Sequence, residues 1–337
     1  MKAYEIKEFG IDKLAVVDRP QPIPGRGEVL IKLHAASINY RDLMVIEGTY
    51  NPRMKMPAIP FSDGAGEVVG LGEGVTKWAV GDRVMPIFAQ QWIDGQSTED
   101  KRRSSLGAGS LWDGVLREFA VFSEEGLVHI PEHLSFEEAS TLPCAALTAW
   151  NAVVCSAGVR PGDTVLTLGT GGVSMFALQF ALIAGARVIS TSGSNEKIAR
   201  LKEMGAEATV NYMEREDWDA AVLEIVGKPG VDAVIEVGGS GTLPRSLNAV
   251  RIGGHVSMVG ALTGPAAFNP TSVFMKAVCV QGIFVGSRSM FETMNKAITV
   301  NRLKPVIDRV FNFAEVAEAL EYFKSGAHFG KVVVKIS

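Results

Sequence analysis

The stretch Thr164-Val-Leu-Thr-Leu-Gly-Thr-Gly-Gly-Val-Ser174 decides the fold. Thr164–Leu168 is apolar and β-rich. Glycines follow at 169, 171 and 172, and an apolar helical run continues through Ala184. A strand, a glycine turn and a helix in that order open a dinucleotide-binding unit. The first glycine permits the tight turn, and the next lets backbone approach a pyrophosphate. The helix N-terminus then offers free N–H groups and a partial positive charge to the phosphates. Gly169, Gly171, Gly172 and Val173 are the expected contacts. Ser174 stands where the usual pattern has its last glycine, a position that governs helix–strand packing more than phosphate contact.

Outward from that turn, strands and helices alternate. Arg187–Thr191, Thr209–Asn211, Val231–Val237, His255–Val259 and Val278–Phe284 read as strands. Asn195–Met204, Trp218–Val226 and Gly241–Val250 read as helices between them. This alternation predicts an α/β unit with a doubly wound parallel sheet, here residues 126–290. An NAD-preferring site carries an acid at the tip of the second strand. The tip here is Ser190-Thr191-Ser192-Gly193-Ser194, without a carboxylate, and Lys197 follows one turn into the next helix. Hydroxyls and a cation suit the extra 2′-phosphate of NADP(H), which a carboxylate repels. Ser192, Lys197 and Tyr212 are the expected contacts, with Arg200 a weaker second cation. The bland readings are a helix-capping Ser194 and a solvated surface Lys197.

The first third is different. Val29–Leu33, Gly64–Leu71 and Arg83–Ile87 are short apolar runs punctuated by glycine, the pattern of a small β barrel or sandwich. Residues 1–125 and 291–337 are assigned to this second unit. The tail carries helical stretches at Phe291–Asn301 and Ala314–Ser325 and a closing strand, Val332–Lys335. The polar, glycine-rich segment from Trp92 to Trp112 reads as a long surface loop, either a mobile insertion or a lid. At 337 residues the chain is long enough for two cores. A net charge of −4 gives no electrostatic reason for nucleic-acid or membrane binding. The three cysteines are far apart, and the N-terminus lacks a signal-type apolar core. Together these features predict a soluble cytoplasmic protein. The five histidines show no metal spacing and read as structural.

GEVLIKLHAASINYRDLMVIEGTY, PFSDGAGEVVGLGEGV, GDRV, TLPCAALTAW, the glycine turn and the closing HFGKVVVKI resemble, in order, the medium-chain dehydrogenase/reductase superfamily. The likeness is strongest to its zinc-independent quinone oxidoreductase branch. It implies a GroES-like β domain plus a Rossmann domain, and hydride transfer with a nicotinamide cofactor. In zinc-containing relatives the catalytic metal has Cys, His and Cys ligands. Their places are taken here by Asn39, by Ser62 (with Asp63 after it) and by Cys144. The loop corresponding to the structural-zinc lobe, 92–112, has no cysteine. No metal is therefore expected, and Cys144 is read as a small packed residue.

Without a metal, hydride addition to a quinone or an α,β-unsaturated carbonyl fits, with an amide or phenol stabilising the developing charge. Tyr50, Tyr40 and Asn39 are the catalytic candidates. Tyr50 packed at a domain edge, and Tyr40 merely lining a cleft, are the bland readings. The resemblance also implies cofactor contacts from Thr148, Gly238, Val259, Gly260, Ala261, Phe284, Val285, Gly286 and Lys331. An apolar wall from Phe88, Trp92 and Phe284 is expected to favour an aromatic substrate. A homodimer through the sheet edge at Val278–Phe284 is expected. Two alternatives stay open: a zinc-free alcohol or aldehyde oxidoreductase, and a crystallin-like cofactor-binding protein with little catalysis.

Overall fold

A computed structural model describes residues 1–109, 112–264, 267 and 269–337. The chain divides into two compact units, one of Met1–Leu147 with Gly286–Ser337 and the other Thr148–Val285. The crossing from the first unit comes later than residue 126, the boundary expected from sequence. The strand Leu127–His129 pairs with Arg83–Pro86, so it belongs to the β unit. A helical run beginning at Leu142 then carries the chain across, with wide π-type turns at Leu142–Ala146 and Asn151–Ser156. This run had no counterpart in the sequence reading.

In the β unit, Glu28–Ser37 is the hub. It pairs antiparallel with Asp63–Leu71, Phe119–Ser123 and Lys331–Lys335. Its register against Asp63–Leu71 shifts between Leu30 and Ile31 and again between Leu33 and Ala35. Such bulges bend and twist a strand, which lets one ten-residue strand serve three partners. Val29, Ile31, Leu33, Val68, Val84 and Phe122 bury their side chains in one core. Each buried aliphatic or aromatic side chain contributes about 1.5–3 kcal/mol of transfer free energy.

The returning tail pairs with the hub as the closing strand predicts. A strand at Ile307–Asn312, absent from the sequence reading, lies parallel to it. The 92–112 segment is less loop-like than expected. It contains the short helix Glu99–Arg103, and Ser104–Leu106 are buried. Ser110 and Leu111 of that segment lie outside the described residues.

The second unit is a six-stranded, wholly parallel sheet. Its order is Ala208–Asn211, Arg187–Ser192, Thr164–Leu168, Val231–Glu236, Val250–Met258, Cys279–Gly282. Numbered along the chain, that is 3-2-1-4-5-6, the doubly wound order, with the first strand at the centre. The helix Gly172–Ile183 buries Met175, Phe176, Leu178 and Phe180. Among the described residues, no helix is long and apolar enough to cross a membrane.

Candidate active site

In the nucleotide unit, the central strand ends at Leu168 and the chain turns at Gly169 with φ +71°. That left-handed conformation favours glycine. Gly171 caps the helix, and no side chain occupies the cap. A Cβ at Gly169 or Gly171 would meet no atom within 4 Å, so the turn is an open cradle. First-turn amides of such a helix are free to take phosphate oxygens, and Gly172 and Val173 lie in that first turn. The serine in the last glycine's place has a use: Ser174 Oγ donates to the Leu168 carbonyl at 2.6 Å, tying helix to strand.

At the tip of the second strand, Ser192, Gly193 and Tyr212 come together. A Cβ on Gly193 would lie 2.8 Å from the Tyr212 ring, so the ring packs across the glycine. Ser192 is only 2% exposed, and its hydroxyl accepts from the Ser194 amide at 3.3 Å. Its oxygen is thus engaged in the turn. Ser194 caps the next helix by accepting from the Lys197 amide, as the bland reading has it. One carboxylate stands near this tip: Glu214 accepts from Asn195 and Asn211.

Loops after the fourth and fifth strands meet at the same, C-terminal, end of the sheet. A Cβ on Gly260 would lie 2.2 Å from the Val237 carbonyl oxygen, and one on Gly239 would lie 2.7 Å from Ala261 Cα. Val259 donates its amide to the Glu236 carbonyl. These contacts gather Gly238, Val259, Gly260 and Ala261 at one end of the sheet.

What holds the fourth-strand loop is a residue the sequence reading missed. Glu236 is fully buried, and its Oε1 accepts from the amides of Gly238 (2.8 Å) and Gly239 (3.0 Å) and from the Thr242 hydroxyl (2.6 Å). Its Oε2 accepts from the Ser246 hydroxyl. The only cue in the sequence was an acid ending an apolar strand before Gly238-Gly239.

Thr148 is buried in the helical run that opens this unit. Val285 follows Phe284 at the unit's end with φ +41°, a strained conformation for a β-branched residue. Asn151 Nδ2 donates to the Val285 carbonyl at 2.8 Å and holds it there. Gly286 falls in the other unit, where a Cβ would collide with Leu147.

The β unit contains a buried charged cluster. Lys331 is 2% exposed, and its ammonium donates to Asn39 Oδ1 (2.6 Å) and the Ile38 carbonyl (2.7 Å). The ammonium of Lys331 is thus engaged beside the catalytic candidate Asn39. Asp63 Oδ1 accepts from the Ser62 hydroxyl at 2.7 Å, and Oδ2 from the Cys144 amide at 3.0 Å. Asn39 is the N-cap of the helix Tyr40–Ile46, and its backbone N–H donates to Asp42 Oδ2 at 2.8 Å. Arg41 Nη1 reaches Asp42 Oδ1 at 3.1 Å.

Burial pushes Asp42 up to about 6, against the pull of Arg41. Burial likewise raises Asp63, opposed by Lys331, and lowers Lys331, opposed by Asp63. Burial and the neighbouring Asp63 charge hold the Cys144 thiol well above its ordinary value. Tyr40 and Tyr50 are 47% and 40% exposed. Tyr50 lies beside Arg41, whose guanidinium carbon is 5.2 Å from the ring centroid. His34 and His255 have structural partners in Ser337 and Ser156.

Two family models match the chain. An alcohol dehydrogenase GroES-like domain covers residues 25–132, and a zinc-binding dehydrogenase domain covers 172–299. A zinc-type alcohol dehydrogenase-like protein of Schizosaccharomyces pombe is 44% identical over 98% of this chain and 97% of its own. A quinone oxidoreductase of Sus scrofa is 30% identical over 95% and 93%. A solved structure titled as an NAD-dependent alcohol dehydrogenase superposes with a TM-score of 0.91 at 33% identity, over the whole of both chains.

Zinc does not fit the residues present. Among the described residues no three His, Cys, Asp or Glu side chains are grouped to hold a metal. The Asn39 oxygen is already taken by an ammonium. A nicotinamide cofactor does fit: the glycine cradle, the uncapped helix and the loops gathered at the strand ends are the parts it needs. With family models falling on both units and full-length relatives at this identity, the chain belongs to the medium-chain dehydrogenase/reductase superfamily and is an oxidoreductase that binds a nicotinamide cofactor.

Proposed function

We propose that this chain is an NADPH-dependent, zinc-independent reductase of quinones or α,β-unsaturated carbonyls. The observation that carries the reading is the Lys331–Asn39 contact: an ammonium bonded at 2.6 Å to the amide in the first ligand's place. A positive charge at that point opposes a second cation. Carbonyl polarisation then falls to organic donors, and a conjugated acceptor demands less of them, because its negative charge is spread.

Bound reduced nicotinamide supplies the hydride. The chain's own residues bind and orient. The turn at Gly169–Val173 takes the pyrophosphate, and Glu236 fixes the Gly238 loop. Asn151 presents the Val285 segment beside Thr148 as the wall for the nicotinamide ring. Tyr50, Tyr40 and Asn39 are the donors for the substrate oxygen.

The preference for NADPH rests on the strand tip, where Lys197 and Tyr212 stand without a carboxylate on the strand. Ser192 is a lesser support, because its hydroxyl is engaged in the turn. The relative titled NAD-dependent represents the opposite outcome of the test. Calorimetric titration is expected to give tighter binding of NADPH than NADH, with Lys197→Glu weakening NADPH selectively. Equal affinities, or an unchanged preference in the variant, contradict the reading. A panel of quinones, enones and simple aldehydes with NADPH tests the substrate class. Turnover of aldehydes alone favours the alcohol dehydrogenase activity that the relatives' names carry.

The three cysteines are free, which accords with a reducing compartment such as the cytoplasm. The outermost strand of the sheet, Cys279–Gly282, with Phe274 and Met275 exposed nearby, is the edge through which we assign a homodimer.

A further inference from the structure

We propose that Arg41 is the seat of the substrate's carbonyl oxygen, which it receives on the Nε–Nη2 edge of its guanidinium. The inference rests on the substrate class proposed above and adds a residue that reading did not use.

Arg41 is about nine-tenths buried along its side chain, and only Nη1 is bonded, to Asp42 at 3.1 Å. Nε and Nη2 are both closed off from solvent and have no hydrogen-bond partner. A guanidinium buried only to neutralise Asp42 has its other donors spent on nearby carbonyls, as buried donors ordinarily are. Here the two unspent donors share one edge. That edge takes either one oxygen between the two N–H groups or two oxygens side by side.

The surroundings select among oxygens. The guanidinium carbon lies 5.0 Å from the Phe88 ring and 5.2 Å from the Tyr50 ring. Two aromatic rings packed against the guanidinium suit a flat, conjugated acceptor. Tyr50's hydroxyl lies near enough to steady the charged guanidinium. The charges around the edge are balanced. Arg41 faces Asp42, and Lys331 faces Asp63 and Asp42. A neutral substrate therefore enters a neutral cluster, and the unspent N–H pair gains most when the oxygen becomes anionic.

The step balances. Bound reduced nicotinamide would supply the hydride that forms a C–H bond at the β-carbon. The C=C pair moves into the bond between the α-carbon and the carbonyl carbon, and the C=O π pair goes to oxygen. The guanidinium holds that enolate oxygen, and a proton from solvent then adds to the α-carbon. Both nitrogens are closed off from solvent, so substrate reaches them past the half-exposed Tyr50, whose hydroxyl stays within reach of the same oxygen.

The test uses the full chain without added cofactor, and 4-nitrophenol as the probe. Its anion is a stable counterpart of an enolate oxygen, and only the anion absorbs visible light. Wild-type protein is expected to raise the ionised fraction of bound probe at a pH below the probe's own pKa. Arg41→Met and Arg41→Lys are expected to lose most of that effect. Arg41→Lys keeps a cation beside Asp42, so it preserves the fold if Arg41→Met does not, yet it lacks the two-donor edge.

In turnover, Arg41→Met should lower kcat/KM for an enone by roughly 100-fold, mainly through kcat. Binding of the probe with no change in ionisation, or an effect that survives both substitutions, overturns the proposal. Promotion of ionisation by wild type but not the variants supports it even where wild type turns over no enone. That failure falls on the proposed substrate class alone.

Discussion

Replacing Glu236 asks whether one buried carboxylate shapes the cofactor side of the nucleotide unit. Glu236→Ala removes the acceptor of two buried amides, Gly238 and Gly239, and of two hydroxyls, Thr242 and Ser246. The Thr242 hydroxyl has a second acceptor, the Gly239 carbonyl at 3.2 Å, so part of its loss is recovered. The amides are fixed by the backbone and have no such recourse. Each buried donor left unpaired costs about 1–3 kcal/mol. Two of them, with the cavity left by the side chain, give a destabilisation of roughly 3–5 kcal/mol.

Glu236→Gln separates charge from shape. Its oxygen can keep both amides, and its nitrogen can donate to the Ser246 hydroxyl, so the cost should be about 1–2 kcal/mol, the loss of charge assistance. Urea unfolding measures both variants, and titration with NADPH reads the loop. The alanine variant should bind cofactor more weakly than the glutamine variant, because the Gly238 loop is then unanchored. An alanine variant within about 1 kcal/mol of wild type, with unchanged cofactor affinity, would refute the reasoning.

Two further predictions concern charge and assembly. Burial raises Asp42 from 3.8 to about 6, so between those pH values the native state holds a proton that the unfolded chain has released. Stability contributed by this group therefore falls as pH rises through that window, by up to about 3 kcal/mol. Asp42→Asn should accordingly be less costly at pH 8 than at pH 4.5 in urea unfolding, and the reverse order contradicts it. For the sheet edge, light scattering should give a dimer mass, and a charge placed on the strand by Val280→Lys should shift it towards monomer. A monomeric wild type removes the assignment.

The nucleotide unit was legible because its signals are local. A turn that needs φ +71° at Gly169 and an open approach at Gly171 writes itself as glycine whatever surrounds it. Alternating strand and helix then fixed the doubly wound sheet. The strand Ile307–Asn312 was missed because most of its residues are exposed or half-buried and show no clean alternation. Ser192 was legible as a position but not as a role, since only the folded turn shows its hydroxyl receiving the Ser194 amide.

The surroundings of Lys331 were not legible for another reason. Its partner Asn39 lies 292 residues away in the chain, and nothing in the tail says that the side chain points inward rather than towards a phosphate. Arg41 drew no reading from the sequence, because burial of a cation is a tertiary fact. Its neighbour Asp42 is visible as the third residue of a helix cap, but the ion pair between adjacent residues is not.

The charged cluster around Asn39 is best understood from what it costs. Asp42, Asp63 and Lys331 are all shifted by burial towards their neutral forms, so the fold holds their charges against solvation. Apolar residues of similar volume in place of such buried pairs commonly stabilise a protein by about 1–4 kcal/mol. Stability therefore does not explain the arrangement, and position does. Lys331 fixes the Asn39 amide from one side. Asp42 fixes the Asn39 backbone and one nitrogen of Arg41 from the other. Asp63 ties the cluster to the helical run through the Cys144 amide. Every charge in the set has its partner except along one edge of Arg41. The donors left unspent in this network are the Nε–Nη2 edge of Arg41 and the side-chain nitrogen of Asn39, so its unused hydrogen-bonding capacity lies at the start of one helix, where the catalytic candidates stand.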